Sequence, residues 1–87
     1  MQINYSKSFL KHYKERVANN PRLKSQFHKR LRIFKLDSSD THLKDHVLTG
    51  SMSQFRAFSI NNDLRVIYKV YADQIVFFDV GTHEQVY

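Results

Sequence analysis

Cysteine is absent from these 87 residues, which excludes both a disulfide framework and any thiolate metal site. A chain without cysteine suits a reducing cytosol, and a cytoplasmic location is the expectation. Glycine occurs only at Gly50 and Gly81, so no glycine-rich nucleotide-binding loop can be built, and no nucleophile elbow is present. No apolar run approaches the roughly 20 residues of a membrane span. Met1-Gln2-Ile3-Asn4-Tyr5 lacks the apolar stretch of a secretory signal. No membrane partner is expected, and no repeat, low-complexity tract or linker divides residues 1–87, which read as one small domain. A chain this short buries only about 60–65% of its unfolded surface, so its core is thin.

Acids are scarce in one half. Residues 7–35 hold ten of the fourteen Lys and Arg and a single acid, Glu15; the remainder holds four basic and seven acidic residues. A basic block attracts polyanions by steering and counterion release. It is also what a solvated helical surface looks like.

Ser6 stands as a helix N-cap, with Tyr5 and Leu10 in the hydrophobic-staple positions. Phe9, Leu10, Tyr13 and Val17 recur at helical spacing and predict a helix to about Asn19. Asn20-Pro21 breaks that helix and starts another, whose apolar stripe is Leu23, Phe27, Leu31 and Phe34. A turn-like connection over 37–53 follows, anchored by Leu43, Val47 and Leu48. Strands are predicted over 55–60, 64–71 and 74–80, joined by turns at Asn61-Asn62-Asp63 and Ala72-Asp73. A further short strand over 2–4 completes the order β-α-α-β-β-β. The expected class is α+β, a helical hairpin packed on one face of a small antiparallel sheet with the other face open.

Five histidines are present. His12 and His28 lie within the predicted helices as solvated or packing residues. His42 and His46 stand four apart, but no glutamate follows the first and no third ligand is evident, so no metal site is assigned. His83 follows a glycine just past the last strand, a place where a core seldom needs a titratable ring. Asp63, Arg65 and Lys69 lie on or beside a hairpin, which a turn aspartate and an outward ion-pair ladder would equally explain. Arg56 and Arg65 on neighbouring strands would repel unless an anion such as phosphate lay between them. Tyr87 is either a packing residue or a ring on which a base could stack. Histidines, arginines and an aspartate on a basic scaffold are the groups needed to cleave RNA without a metal or cofactor. A base takes the ribose 2′ proton, an acid protonates the leaving 5′ oxygen, and guanidinium groups stabilise the phosphorane.

The segments Lys44-Asp45-His46-Val47-Leu48-Thr49-Gly50, Phe55-Arg56-Ala57-Phe58-Ser59-Ile60, Asp63-Leu64-Arg65-Val66-Ile67-Tyr68-Lys69 and Gly81-Thr82-His83 resemble the RelE/ParE superfamily, specifically the RelE-like mRNA interferases close to YafQ. The order of elements matches as well, so the resemblance covers essentially the whole chain. It implies the toxin of a type II toxin-antitoxin system, a ribosome-dependent endoribonuclease that cuts mRNA in the decoding site and is bound by an antitoxin in a hetero-oligomer. By position, His46 and His83 match the catalytic histidines of the YafQ type, Asp63 its aspartate, and Tyr87 its aromatic residue near the terminus. Arg65 falls where RelE carries a functional arginine. Of the two histidines, His46 is favoured as base and His83 as acid. Lys44, Arg56, Lys69 and Tyr87 are the expected RNA contacts. The chain departs from the family pattern at Ser59, where YafQ-like toxins carry a further histidine, and at Leu64, where they carry an aromatic residue. Two alternatives use the same fold or the same charge: a ParE-like gyrase inhibitor, and a non-catalytic RNA- or ribosome-binding module.

Overall fold

Two capping residues open the helices. In the computed structural model, which describes residues 2–87, the Ser6 hydroxyl accepts a hydrogen bond from the Phe9 amide at 3.0 Å, and helix α1 runs over Lys7–Arg16. The Asn20 carboxamide accepts from the amides of Arg22 and Leu23 at 3.0 and 3.2 Å. Pro21 takes the first helical position, where no amide is required, and α2 covers Pro21–Leu36. The expected staple does not close. Leu10 is turned away from the stripe formed by Phe9, Tyr13 and Val17 and is 54% exposed. Tyr5 packs instead on Phe9 and Phe77, with ring centroids 5.4 and 5.5 Å away.

The strands β1 (Gln2–Tyr5), β2 (His46–Val47), β3 (Arg56–Ser59), β4 (Leu64–Val70) and β5 (Gln74–Thr82) form one sheet in the spatial order β1-β5-β4-β3-β2. The three-stranded meander is present and antiparallel. The class is α+β, but the sheet is mixed rather than antiparallel throughout. β1 lies parallel to β5, with Gln2 opposite Gln74 and Tyr5 opposite Phe77, because the chain returns to it only after the helices and the meander. β2 is added at the far edge, with His46 opposite Ala57.

The two helices cover one face. Phe9, Val17, Phe27, Leu31 and Phe34 pack on Phe58, Ile60, Leu64, Val66, Tyr68, Phe77 and Val80. Phe77 is fully buried and touches the rings of Phe9, Phe34 and Phe58 at 5.6–5.7 Å between centroids. Each such ring contributes about 1.5–3 kcal/mol by burial, so a few aromatic residues hold this thin core. Phe77 and Val80 both face the helices although they are three residues apart, an odd interval that a regular strand cannot deliver. A β-bulge resolves it: Tyr68 pairs with Phe77 and Ile67 with Asp79, leaving Phe78 without a partner. Phe78 meets Phe55 edge-on at 5.3 Å on the opposite face.

That opposite face is not fully open. Ala57 and Ile67 are covered by Leu48, Met52, Phe55 and Val86, brought there by a 3-10 turn at Gly50–Met52 and a short helix α3 at His83–Val86. Leu43 and Leu48 anchor the connection as expected, whereas Val47 is 51% exposed; it stands on the edge strand opposite Arg56.

Candidate active site

Strand register sets the site. His46 pairs with Ala57 and Ala57 with Ile67; one step along on the same face, Ser59 pairs with Arg65 and Arg65 with Gly81. His46 and Arg65 therefore share the face turned away from the helices. α3 begins two residues after Gly81, and Thr82 opens it with a reciprocal cap: its hydroxyl accepts from the Gln85 amide at 3.3 Å, while Gln85 Oε1 accepts from the Thr82 amide at 2.8 Å. This cap turns the chain back over the sheet end and carries His83 and Tyr87 toward Arg65. The result is a cleft of about 510 Å³ lined by His46, Leu48, Met52, Arg65, His83 and Tyr87 among others.

Hydrogen bonding distinguishes the two imidazoles. His46 Nδ1 lies 3.0 Å from the Lys44 carbonyl, an acceptor only, so Nδ1 carries the proton and a neutral ring has its lone pair on Nε2. Lys44 supplies that carbonyl from a left-handed turn, φ 51°. His83 Nδ1 lies 3.3 Å from Arg65 Nη1. The guanidinium can only donate, so Nδ1 accepts and Nε2 carries the proton. One ring thus offers an acceptor and the other a donor at Nε2.

Arg65 and Tyr87 frame His83. The His83 and Tyr87 rings meet at 4.5 Å with an interplanar angle of 71°, and Arg65 Cζ lies 5.8 Å from the Tyr87 ring centre. Asp63 stands outside the cleft proper. It lines an adjoining hollow of about 380 Å³ with Asn62, Thr82 and Glu84 that shares Arg65 and His83 with the cleft. His46 and Asp63 are therefore on different sides of the Arg65–His83 pair, and Asp63 forms no ion pair among the described residues.

The other expected RNA contacts fall elsewhere. Arg56 pairs with Tyr68 in the register and so faces the helix side, opposite to Arg65. The two arginines do not flank a common anion; the hairpin register puts them on different faces. Arg56 Nε instead donates to Asp45 Oδ1 at 2.8 Å. The Tyr68 hydroxyl donates to the other Asp45 oxygen, and burial first, then that bond, holds the phenol well above its usual range. Lys44 lines a hollow beside this trio with Ser38 and Thr41. Lys69 donates to Gln54 at 3.1 Å and lies 5.0 Å over the Tyr71 ring. His42 is bonded to Asp40 at 2.8 Å within a 3-10 turn at Thr41–Leu43, while His46 is on a strand, so their spacing is not helical.

Sequence reasoning missed three groups next to the site. His12, expected to be solvated or packing, lies 2.6 Å from Asp79. Arg16 donates to the Val80 carbonyl at 2.9 Å. Gln85 closes the cap of α3, and the Thr-x-x-Gln spacing of Thr82 and Gln85 was a readable capping-box signal.

Known structures identify the fold as that of the RelE-like toxins. The YoeB/ParE toxin from Agrobacterium tumefaciens superposes with a TM-score of 0.79 over 95% of this chain and 99% of its own, at 18% identity, a likeness of fold alone. A copper-bound mutant toxin from Helicobacter pylori matches at TM-score 0.81 and 25% identity, covering 100% of this chain and 99% of that one. YafQ of E. coli in its complex with DinJ matches at TM-score 0.74 and 27% identity, covering 99% and 97%. The model of the family described as "Bacterial toxin of type II toxin-antitoxin system, YafQ" matches residues 1–87. The chain belongs to that family. No curated protein matches it.

Proposed function

We propose that this toxin is an mRNA interferase, a ribosome-dependent endoribonuclease whose active site is the cleft between β2, β4 and α3. The observation that carries this reading is the pairing of an open imidazole acceptor with an imidazole donor around one guanidinium: His46, His83 and Arg65 line the same cleft, with Nδ1 of each ring already bonded.

In this mechanism His46 Nε2 removes the ribose 2′ proton as the 2′ oxygen attacks phosphorus. The P–O5′ bond breaks, and His83, carrying a second proton on Nδ1 once the phosphate has drawn Arg65 away, gives its Nε2 proton to the departing 5′ oxygen and is left as neutral imidazole. The products are a 2′,3′-cyclic phosphate and a 5′ hydroxyl. No electrons change hands: His46 keeps the 2′ proton, and the second proton on His83 comes from solvent. Arg65 stabilises the charge that builds on the phosphorane. Its Nε is buried with no acceptor among the described residues, a cost of about 1–3 kcal/mol that an anion held on the guanidinium offsets. Asp63, in the adjoining hollow, orients the groups on the far side of His83. Tyr87 offers the stacking ring, 41% exposed.

The basic outer faces of α1 and α2 suit ribosomal RNA phosphates, which they contact without reading sequence. A cognate antitoxin blocks the toxin in a hetero-oligomer, by analogy with the DinJ–YafQ complex, and all of this takes place in the cytoplasm. No helix of the described residues is long and apolar enough to cross a membrane.

The test is to map cleavage ends on translated and untranslated mRNA after brief induction, with His46→Ala and His83→Ala as controls. Cuts confined to translated message and lost in both variants are expected. Undiminished cutting by either variant removes that residue from the mechanism. Altered DNA supercoiling without cuts replaces the nuclease by a gyrase inhibitor.

A further inference from the structure

Beyond Phe77, β5 has no strand on one side, because β1 pairs only as far as Tyr5 with Phe77. Side chains of α1 and of its N-cap close that edge. Ser6 Oγ donates to the Phe78 carbonyl at 3.0 Å, and Arg16 Nη1 donates to the Val80 carbonyl at 2.9 Å. Arg16 is itself held: Nη1 lies 3.5 Å from Asp79 Oδ1. The same oxygen bonds His12 Nδ1 at 2.6 Å and accepts from the Val80 amide at 2.8 Å. The three side chains are 21–24% exposed, so these contacts are less screened than surface pairs.

The cluster ends on the frame of the cleft. A Cβ on Gly81 would fall 2.8 Å from Arg16 Nη1 and 2.7 Å from Gln85 Oε1, closer than real side chains approach. A side chain at 81 would have to push back the ends of both Arg16 and Gln85, which crowd onto the bare Cα. Gln85 is the residue whose cap opens α3, and His83 is the first residue of α3. α1 thus reaches, through one side chain, the backbone from which His83 projects.

We propose that Arg16, seated on Asp79 and backed by His12, is a positioning residue that fixes the Val80-Gly81-Thr82 backbone and so holds His83 at its place beside Arg65. Arg16 touches no reacting atom. Its kinetic consequence rests on the nuclease reading of the cleft; its structural consequence does not.

The test compares Arg16→Ala with Arg32→Ala at saturating ribosomes; Arg32 is exposed on the basic face of α2 assigned to ribosome contact, so its loss should weaken ribosome affinity without slowing the cleavage step. Arg16→Ala is expected to slow single-turnover cleavage of ribosome-bound mRNA by about 10- to 100-fold at unchanged ribosome affinity. It should also move the His83 imidazole NMR signals while leaving those of His46 in place. As a second arm that needs no catalysis, Gly81→Ala is made alone and with Arg16→Ala. Removing the guanidinium vacates part of the space, so the two melting penalties should be less than additive. Unshifted His83 signals, strictly additive penalties, or an equal loss of rate from Arg32→Ala would each overturn the proposal. A wild-type toxin that cuts no mRNA on ribosomes sinks the nuclease reading, while the NMR and double-variant results still decide the role of Arg16.

Discussion

The Arg65 guanidinium donates to His83 Nδ1 at 3.3 Å, so this hydrogen bond and a proton on Nδ1 are mutually exclusive. An anion that draws the guanidinium onto itself leaves Nδ1 open. In the proposed reaction a phosphate entering the cleft does this, and His83 becomes free to take up a second proton at the moment a proton donor is needed.

His83→Ala and His46→Ala should each lower single-turnover cleavage by about 100-fold or more, the usual worth of a positioned acid or base. Both rings are exposed, so melting temperatures should stay near wild type. Arg65→Ala should cost a similar factor. A quench-flow assay on ribosome-bound mRNA with parallel thermal melts checks all three, and a rate loss matched by unfolding would remove the catalytic interpretation.

Ser59 pairs with Arg65 across β3 and β4 and is half-buried. Ser59→His therefore places an imidazole beside the guanidinium, on the cleft face. Cleavage should accelerate, and the His46→Ala variant should be partly rescued by it. No gain in either background would mean that the present chain has no need of a third imidazole.

Tyr68 and Arg56 together satisfy Asp45, whose side chain is 7% exposed. Tyr68→Phe should cost about 1–3 kcal/mol by leaving one carboxylate oxygen short of a donor. The pH dependence follows from the raised phenol. A group whose folded value lies above its unfolded value, about 10 for tyrosine, stabilises fully below that pH. Its contribution is lost as pH climbs from there toward the folded value. Wild type should therefore lose stability above about pH 10, and Tyr68→Phe should lose less over the same interval. Tyr13, raised by burial and then by Tyr5, leaves a residual slope. Urea melts at stepped alkaline pH measure both, and parallel curves for the two proteins would refute the assignment.

Phe77→Ala should be the most damaging core change, costing about 3–5 kcal/mol, a large part of what a domain this small has to lose. Chemical denaturation should find it mostly unfolded at 37 °C or nearly so, and a shift under about 1 kcal/mol would mean the cavity collapses around it.

Local spacing made much of the fold readable. The stripe at Leu23, Phe27, Leu31 and Phe34, the caps at Ser6 and Asn20, and the turn at Asn61-Asn62-Asp63 each declare themselves within a few residues. What escaped needed distant partners. Gln2 finds Gln74 in parallel, His46 adds an edge strand to Ala57, and Asp45 meets Tyr68 and Arg56 only after the sheet closes. The adjacent rings of Phe77 and Phe78 hid the bulge, since either one could have faced the helices. At the site, His46, Arg65, His83 and Tyr87 were singled out on motif and resemblance, and the fold brings them into one cleft. Arg56, Lys44 and Lys69 were selected for charge. Charge does not reveal a local partner, and Asp45 and Gln54 occupy two of them.

The unpaired Phe78 gives β5 an odd count between its core residues and its exit. Deleting that single residue would restore a regular ladder and keep every pairing that follows, because Phe77 and Val80 would then stand two apart on the helix face. What would be lost is the ring itself, which meets Phe55 edge-on and covers the sheet on the side of the cleft. The surplus residue therefore serves the far side of the sheet: it lets one strand present aromatic rings to both layers within two consecutive positions.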